Sequence, residues 1–96
     1  MRVLWLERAE ADLRQIIDYL EHHESGAGQR VNDLIRSRTE LLADFPGLGR
    51  PGRVPGTREL AIARTPYVVA YTVDRIVDAV IVLCVLHGAR LWPDDL

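Results

Sequence analysis

Four apolar residues at 3–6, Val-Leu-Trp-Leu, come before any cluster of charge. A run without a polar position predicts a short strand buried on both faces. From residue 7 the period changes. Leu13, Ile16, Ile17 and Leu20 recur at helical spacing with Ala9 one turn earlier, while Glu7, Arg8, Arg14, Asp18 and Glu21 fill the opposite face. This first helix is expected to end near His22 and His23, where cations suit the helix dipole. Ser25-Gly26 supplies a break, with Ser25 as the N-cap of a second helix. That helix is predicted over 27–45, with Val31, Leu34, Ile35, Leu41, Leu42 and Phe45 on one face. Arg38 falls inside that stripe, and its expected posture is a stem on the core with the head in water. Pro46-Gly47 ends the helix.

Residues 46–57, PGLGRPGRVPGT, hold three prolines and four glycines and predict irregular chain. Beta patterns follow. Over 58–64, Leu60 and Ile62 alternate with Glu59, Ala61 and Ala63, and after a break at Thr65-Pro66 the stretch 67–73, YVVAYTV, is rich in aromatic and branched residues. A turn over 74–78 leads to 79–86, AVIVLCVL, apolar throughout as a central strand would be. Short connections favour antiparallel hairpins. The order β-α-α-β-β-β therefore predicts a single α+β domain over 1–96, a helical hairpin packed on one face of a small, mainly antiparallel sheet.

Composition narrows this picture. At 96 residues and 48% apolar, the chain suits one globular domain that buries roughly 60–65% of its unfolded surface. No run approaches the ~18–20 apolar residues of a membrane span, and the start does not read as a secretory signal, so a cytoplasmic location is expected with no membrane partner. The single Cys84 excludes an internal disulfide and a cysteine-based zinc site, and it is expected to be a small buried hydrophobe. Adjacent His22 and His23 point apart on a helix, so no metal site is expected from them. All twelve basic residues are arginine. The net charge is −2, yet Arg50, Arg53, Arg58 and Arg64 face only Glu59 between residues 50 and 64. A strongly basic nucleic-acid binder would be far less balanced.

In this order and spacing, AEADLRQIIDYL (9–20), LLADFPGLGRPG (41–52), GTREL (56–60), YVVAYTV (67–73) and VLHGARLWP (85–93) resemble the RelE/ParE superfamily of toxins from type II toxin–antitoxin systems. The resemblance covers nearly the whole chain and favours the ParE-like branch. It implies a growth-inhibiting toxin held in a hetero-oligomer by a cognate antitoxin, with no cofactor. It also leaves two chemistries open on one fold: ParE-like members inhibit DNA gyrase by binding, and RelE-like members cleave mRNA on the ribosome. A third reading keeps the fold as a non-toxic interaction module.

For RNA cleavage, His87 would serve as acid or base, Arg58, Arg64 and Arg90 would hold phosphate oxygens, and Tyr71 would orient or stack a base. Against this stand the absence of lysine, Thr65-Pro66-Tyr67 where some nuclease members carry an arginine, and a net negative charge unsuited to entering the ribosome. For binding, Arg50, Arg53, Arg58, Arg90 and Trp92 are the expected target contacts. Leu13, Ile17, Leu34 and Arg38 are the expected antitoxin contacts, with the antitoxin laid into the groove between hairpin and sheet.

Overall fold

The computed structural model describes residues 1–88. Arg90 and Trp92, both expected target contacts, lie outside the described residues. Strand β1 spans Arg2–Trp5, helix α1 Glu7–His23 and helix α2 Ala27–Glu40. Strands β2 (Arg50–Pro51), β3 (Arg58–Ala61), β4 (Tyr67–Asp74) and β5 (Ala79–His87) follow. The predicted α+β architecture is present, two helices against one five-stranded sheet of order β1-β5-β4-β3-β2. All neighbours are antiparallel except β1, which runs parallel to β5 from Arg2 opposite Ala79 to Trp5 opposite Val82. The chain between these parallel neighbours is the helical hairpin followed by β2, β3 and β4, far longer than the dozen or more residues a parallel pairing needs.

Several local expectations change. The 3–6 run is an edge strand, with Leu4 and Leu6 each about two-fifths exposed, because no strand among the described residues pairs with its outer side. Helix α2 stops at Glu40 and tightens into a 3-10 turn, Leu41–Ala43, instead of reaching residue 45. Pro46 disfavours helical backbone at Phe45, and the tighter turn lets the amides of Asp44 and Phe45 share the Leu41 carbonyl. Phe45 consequently leaves the core and is 61% exposed. Ser25 does not cap α2. Gly26, at φ 88°, holds that position, and the Glu21 carboxylate of α1 accepts from the amides of Gly26 (2.8 Å) and Gln29 (3.0 Å). Those amides hold the Glu21 carboxyl below its usual range. Two residues on, a Cβ at Gly28 would stand 2.5 Å from the Ile17 carbonyl oxygen, so the glycine is what lets the helices touch.

The loop expected to be irregular contributes the short β2, paired with β3. Strand β3 ends at Ala61, three residues early, where Arg64 turns the chain at φ 71° and the amide of Ile62 donates to the Tyr67 carbonyl. Within β5 the pairing shifts: Ala70 faces Cys84, Tyr71 faces Val82, and Leu83 is the extra residue of a β-bulge. The bulge reverses the alternation. Val80 and Val82 before it, and Val85 after it, all join the core beneath the helices with Ala9, Leu13 and Ile35. Ala70, Cys84 and Leu86 form a second cluster on the other face. Burial pushes the Cys84 thiol up to about 11, which fits the small buried hydrophobe expected of it.

Candidate functional site

Because the bulge restores Val85 to the helix side, His87 two residues later also points there. Opposite it stands Tyr67 at the start of β4, with the rings 6.2 Å apart and edge-on. The β3–β4 turn adds Arg64, Thr65 and Pro66 as one rim, and α1 offers Asp12, Gln15, Ile16, Tyr19 and Leu20 as the facing wall. Together with Val31 of α2 they enclose an open groove of about 710 Å³. Burial raises the Tyr67 phenol, with the Tyr19 phenol a lesser cause, so the two hydroxyl-bearing rings share this space. Tyr19 stacks in turn on His23, centroid to centroid 4.3 Å, and the His23 Nδ1 donates to the Tyr19 carbonyl at 2.9 Å. The groove floor includes part of a strand edge. Strand β1 ends opposite Val82, and past that point the amide of Val85 donates to the Asp12 carboxylate at 3.0 Å.

The other half of the drafted nuclease set lies elsewhere. Tyr71 is four residues along β4 from Tyr67, about 13 Å at strand rise. It is fully buried, donates its hydroxyl to the Pro46 carbonyl at 2.7 Å and accepts from the Gly49 amide at 2.9 Å. Burial raises this phenol, and the Gly49 amide and Arg58 partly oppose that. A Cβ at Gly49 would meet the Tyr71 ring at 2.8 Å, so this close approach requires glycine. Arg58 donates to the Gly49 carbonyl at 2.7 Å. Tyr71 and Arg58 thus fasten the 46–49 turn to the sheet. The structure brings His87 and Arg64 to one groove and leaves Arg58 and Tyr71 at another place.

The arginine region is also partly tied down. Glu59, on the opposite face of β3 from Leu60, is 2% exposed. Its carboxylate accepts from the Arg53 amide at 2.9 Å and from the Arg53 guanidinium at 3.1 Å, with Arg50 at 3.5 Å. Arg53 serves to close the 50–57 loop over a buried acid, whereas the Arg50 side chain remains 71% exposed. Beside it lies a shallower basin of about 350 Å³, lined by Arg38, Leu41, Leu48, Arg50, Leu60 and Ala61 among others.

Of the expected antitoxin contacts, Leu13 is fully buried and has no surface to offer, and Ile17 and Leu34 pack against the core from partly buried positions. Arg38 is exposed at the basin, away from the groove. The apolar groove wall is Ile16, Leu20 and Val31, the flank of the helical stripes where the expectation had taken their centre. One residue with a structural role was missed outright. Arg36 grips Glu10 through two hydrogen bonds (3.0 and 2.6 Å) and lies 4.6 Å over the Trp5 ring, joining α2, α1 and β1. Its only sequence signal was an arginine one position from a core isoleucine. Among the described residues no three His, Cys, Asp or Glu side chains gather as a metal site, and no helix is long and apolar enough to cross a membrane.

A family model described as the ParE toxin of type II toxin–antitoxin systems, parDE, matches residues 3–92. The chain is 38% identical over 95 residues to Y4kP of Sinorhizobium fredii, covering 99% of this chain and 96% of that protein. It is 35% identical over 91 residues to Toxin RelE2 of Caulobacter vibrioides, covering 94% and 98% respectively. Among solved structures, the chromosomal ParDE toxin–antitoxin system of P. aeruginosa contains a chain that superposes with a TM-score of 0.82 at 26% identity, covering 91% of this chain and 95% of that one. The intact E. coli RelBE complex shares the fold, with a TM-score of 0.69 at 16% identity and coverage of 93% and 98%.

Proposed function

Because the chain belongs to the ParE toxin family of type II toxin–antitoxin systems, we propose that it arrests growth by occupying DNA gyrase, with no bond made or broken. The observation that carries this reading is the employment of Tyr71 and Arg58. Both are fastened to the 46–49 turn, and Tyr71 has no exposed surface, so two members of the residue set expected for RNA cleavage, Tyr71 and Arg58, stand apart from the His87 imidazole. The far face of the sheet carries Val68, Ala70, Cys84 and Leu86 at its centre, which offer no acid–base pair. What the surface does offer is a cationic rim at Arg38 and Arg50, suited to a partner with acidic groups.

Neutralisation falls to a cognate antitoxin in the cytoplasm. The groove of Ile16, Leu20, Val31, Tyr19 and Tyr67 has an apolar lining suited to an amphipathic helix, and the β5 edge past the end of β1 can receive an extended segment. The P. aeruginosa and E. coli neighbours are themselves toxin–antitoxin systems, which supports such a partner here.

The test is supercoiling of relaxed plasmid by gyrase against translation of a reporter mRNA on ribosomes, with the same purified protein in both. Supercoiling is expected to stop while the mRNA stays full length. Codon-positioned cuts in the mRNA with gyrase unaffected would replace this reading by the nuclease one, which has one observation in its favour: His87, Arg64 and Tyr67 line the same groove. In that case His87→Ala abolishes cleavage while the protein stays folded. Unimpaired growth on expression of folded protein would leave only the interaction module.

A further inference from the structure

The turn after α2 presents a contradiction that the fold alone does not explain. Leu41, Phe45 and Leu48 are 42%, 61% and 52% exposed, three large apolar side chains on one short stretch. A loose loop would hide them by collapsing onto the sheet. This one cannot collapse, because the Tyr71 hydroxyl holds the Pro46 carbonyl and the Gly49 amide from behind, and Arg58 holds the Gly49 carbonyl. The amides of Phe45 and Leu48 close successive turns onto the carbonyls of Leu41 and Phe45. These hydrogen bonds therefore hold apolar groups outward, at the edge of a basin lined by Leu41 and Leu48. Rigid exposed apolar groups of this kind are the usual anchors of a protein interface.

From this we infer that the basin is the contact through which the toxin holds its target, and that it takes an acidic amphipathic segment of that protein. One apolar side chain of the segment seats between Leu41 and Leu48, and a neighbouring carboxylate meets Arg38 and Arg50. The inference rests on the reading above that the chain acts by occupying a protein. Charge decides the chemistry of the occupant. Arg38 is exposed, Arg50 touches Glu59 at 3.5 Å yet keeps 71% of its side chain in the open, and the basin's carboxylate, Glu59, is buried and held more closely by Arg53. Glu40 and Asp44 are exposed on the same stretch of chain but do not line the basin. A nucleic acid would be served by stacked aromatic rings and several free cations, and the basin offers aliphatic side chains and two arginines instead.

The experiment uses the full-length protein, bacterial DNA gyrase and the cognate antitoxin. Leu48→Asp puts a like charge where the apolar anchor sits, and Arg38→Glu inverts a rim cation; both side chains are exposed, so the fold tolerates them. Each is expected to raise the concentration for half-inhibition of supercoiling by about tenfold or more, and the pair together by about a hundredfold. Antitoxin affinity should stay within about twofold, since its groove lies between α1 and the β4–β5 strands. Ile76→Ser, at a side chain 96% exposed on the β4–β5 turn, is the control and should inhibit as the unaltered chain does. Unchanged inhibition by the double variant overturns the inference while the gyrase reading stands. A toxin that arrests growth without touching gyrase overturns that reading instead, and the basin is then judged on growth: arrest lost in the double variant supports it, and arrest retained refutes it.

Discussion

Tyr71 has the chemistry of a site residue and the position of a structural one. Its ring sits in the core and its hydroxyl both donates to Pro46 and accepts from Gly49. Tyr71→Phe keeps the ring and strands both backbone groups. The expected cost is about 1–3 kcal/mol, read as a lower midpoint in urea with unchanged slope, while Tyr67→Phe in the open groove should cost well under that. Pairing with Arg36 gives a second, pH-dependent case. The Arg36 hydrogen bonds hold the Glu10 carboxyl below its ordinary value of 4.5. A depressed carboxylate stabilises the fold fully above its unfolded value and loses that contribution as pH falls through the folded one. Glu10→Gln should therefore lower stability at pH 7 by less than about 1 kcal/mol, given its partial exposure, and the deficit should vanish in the acid limb below pH 4.5. A deficit that persists undiminished at low pH would mean the side chain acts by packing alone.

Helices and strands were legible wherever one period ran on unbroken. The α1 stripe of Leu13, Ile16, Ile17 and Leu20 predicts its helix correctly, because the pattern continues for several turns against a charged face. The β5 run shows where period fails. Every position from 79 to 86 is apolar, so nothing in the sequence marks Leu83 as the extra residue, yet that residue decides which way His87 points. The buried Glu59 was illegible for another reason: its cover is Arg53, brought over it by a proline- and glycine-rich loop that carries no period. Deleting Leu83 tests the bulge. The shortened strand would run Val82, Cys84, Val85 in plain alternation, so Val85 and His87 are expected to keep the helix side, Cys84 and Leu86 the other face, and the variant to stay within about 1–2 kcal/mol of the unaltered chain and bind antitoxin. A deletion that loses several kcal/mol and the native groove would mean that Leu83 is not the extra residue of the strand.

At the scale of the molecule the balance of covered and uncovered surface is the informative quantity. The core beneath the helices is closed, with Leu13, Ile35, Leu42, Val69, Tyr71, Val80 and Val82 all at 0% exposure, whereas Leu4, Leu6, Phe45, Leu48, Ile76 and Val77 remain open around its edge. A chain of 96 residues has a modest margin of stability, so partners that cover such surface should shift its unfolding measurably. Ligand that binds only the folded form adds RT ln(1 + [L]/Kd), about 2.7 kcal/mol at a hundredfold excess over Kd. For a domain of this size each kcal/mol moves Tm by about 4–8 °C, so saturating antitoxin should raise it by roughly 10–20 °C in a concentration-dependent way. On the proposed assignment that shift comes from the groove and not from the basin. Val31→Asp in the groove should abolish the antitoxin shift, whereas Leu48→Asp in the basin should preserve it. The reverse result would assign the antitoxin to the basin, and equal losses from both would mean that one partner wraps the whole helical end of the molecule.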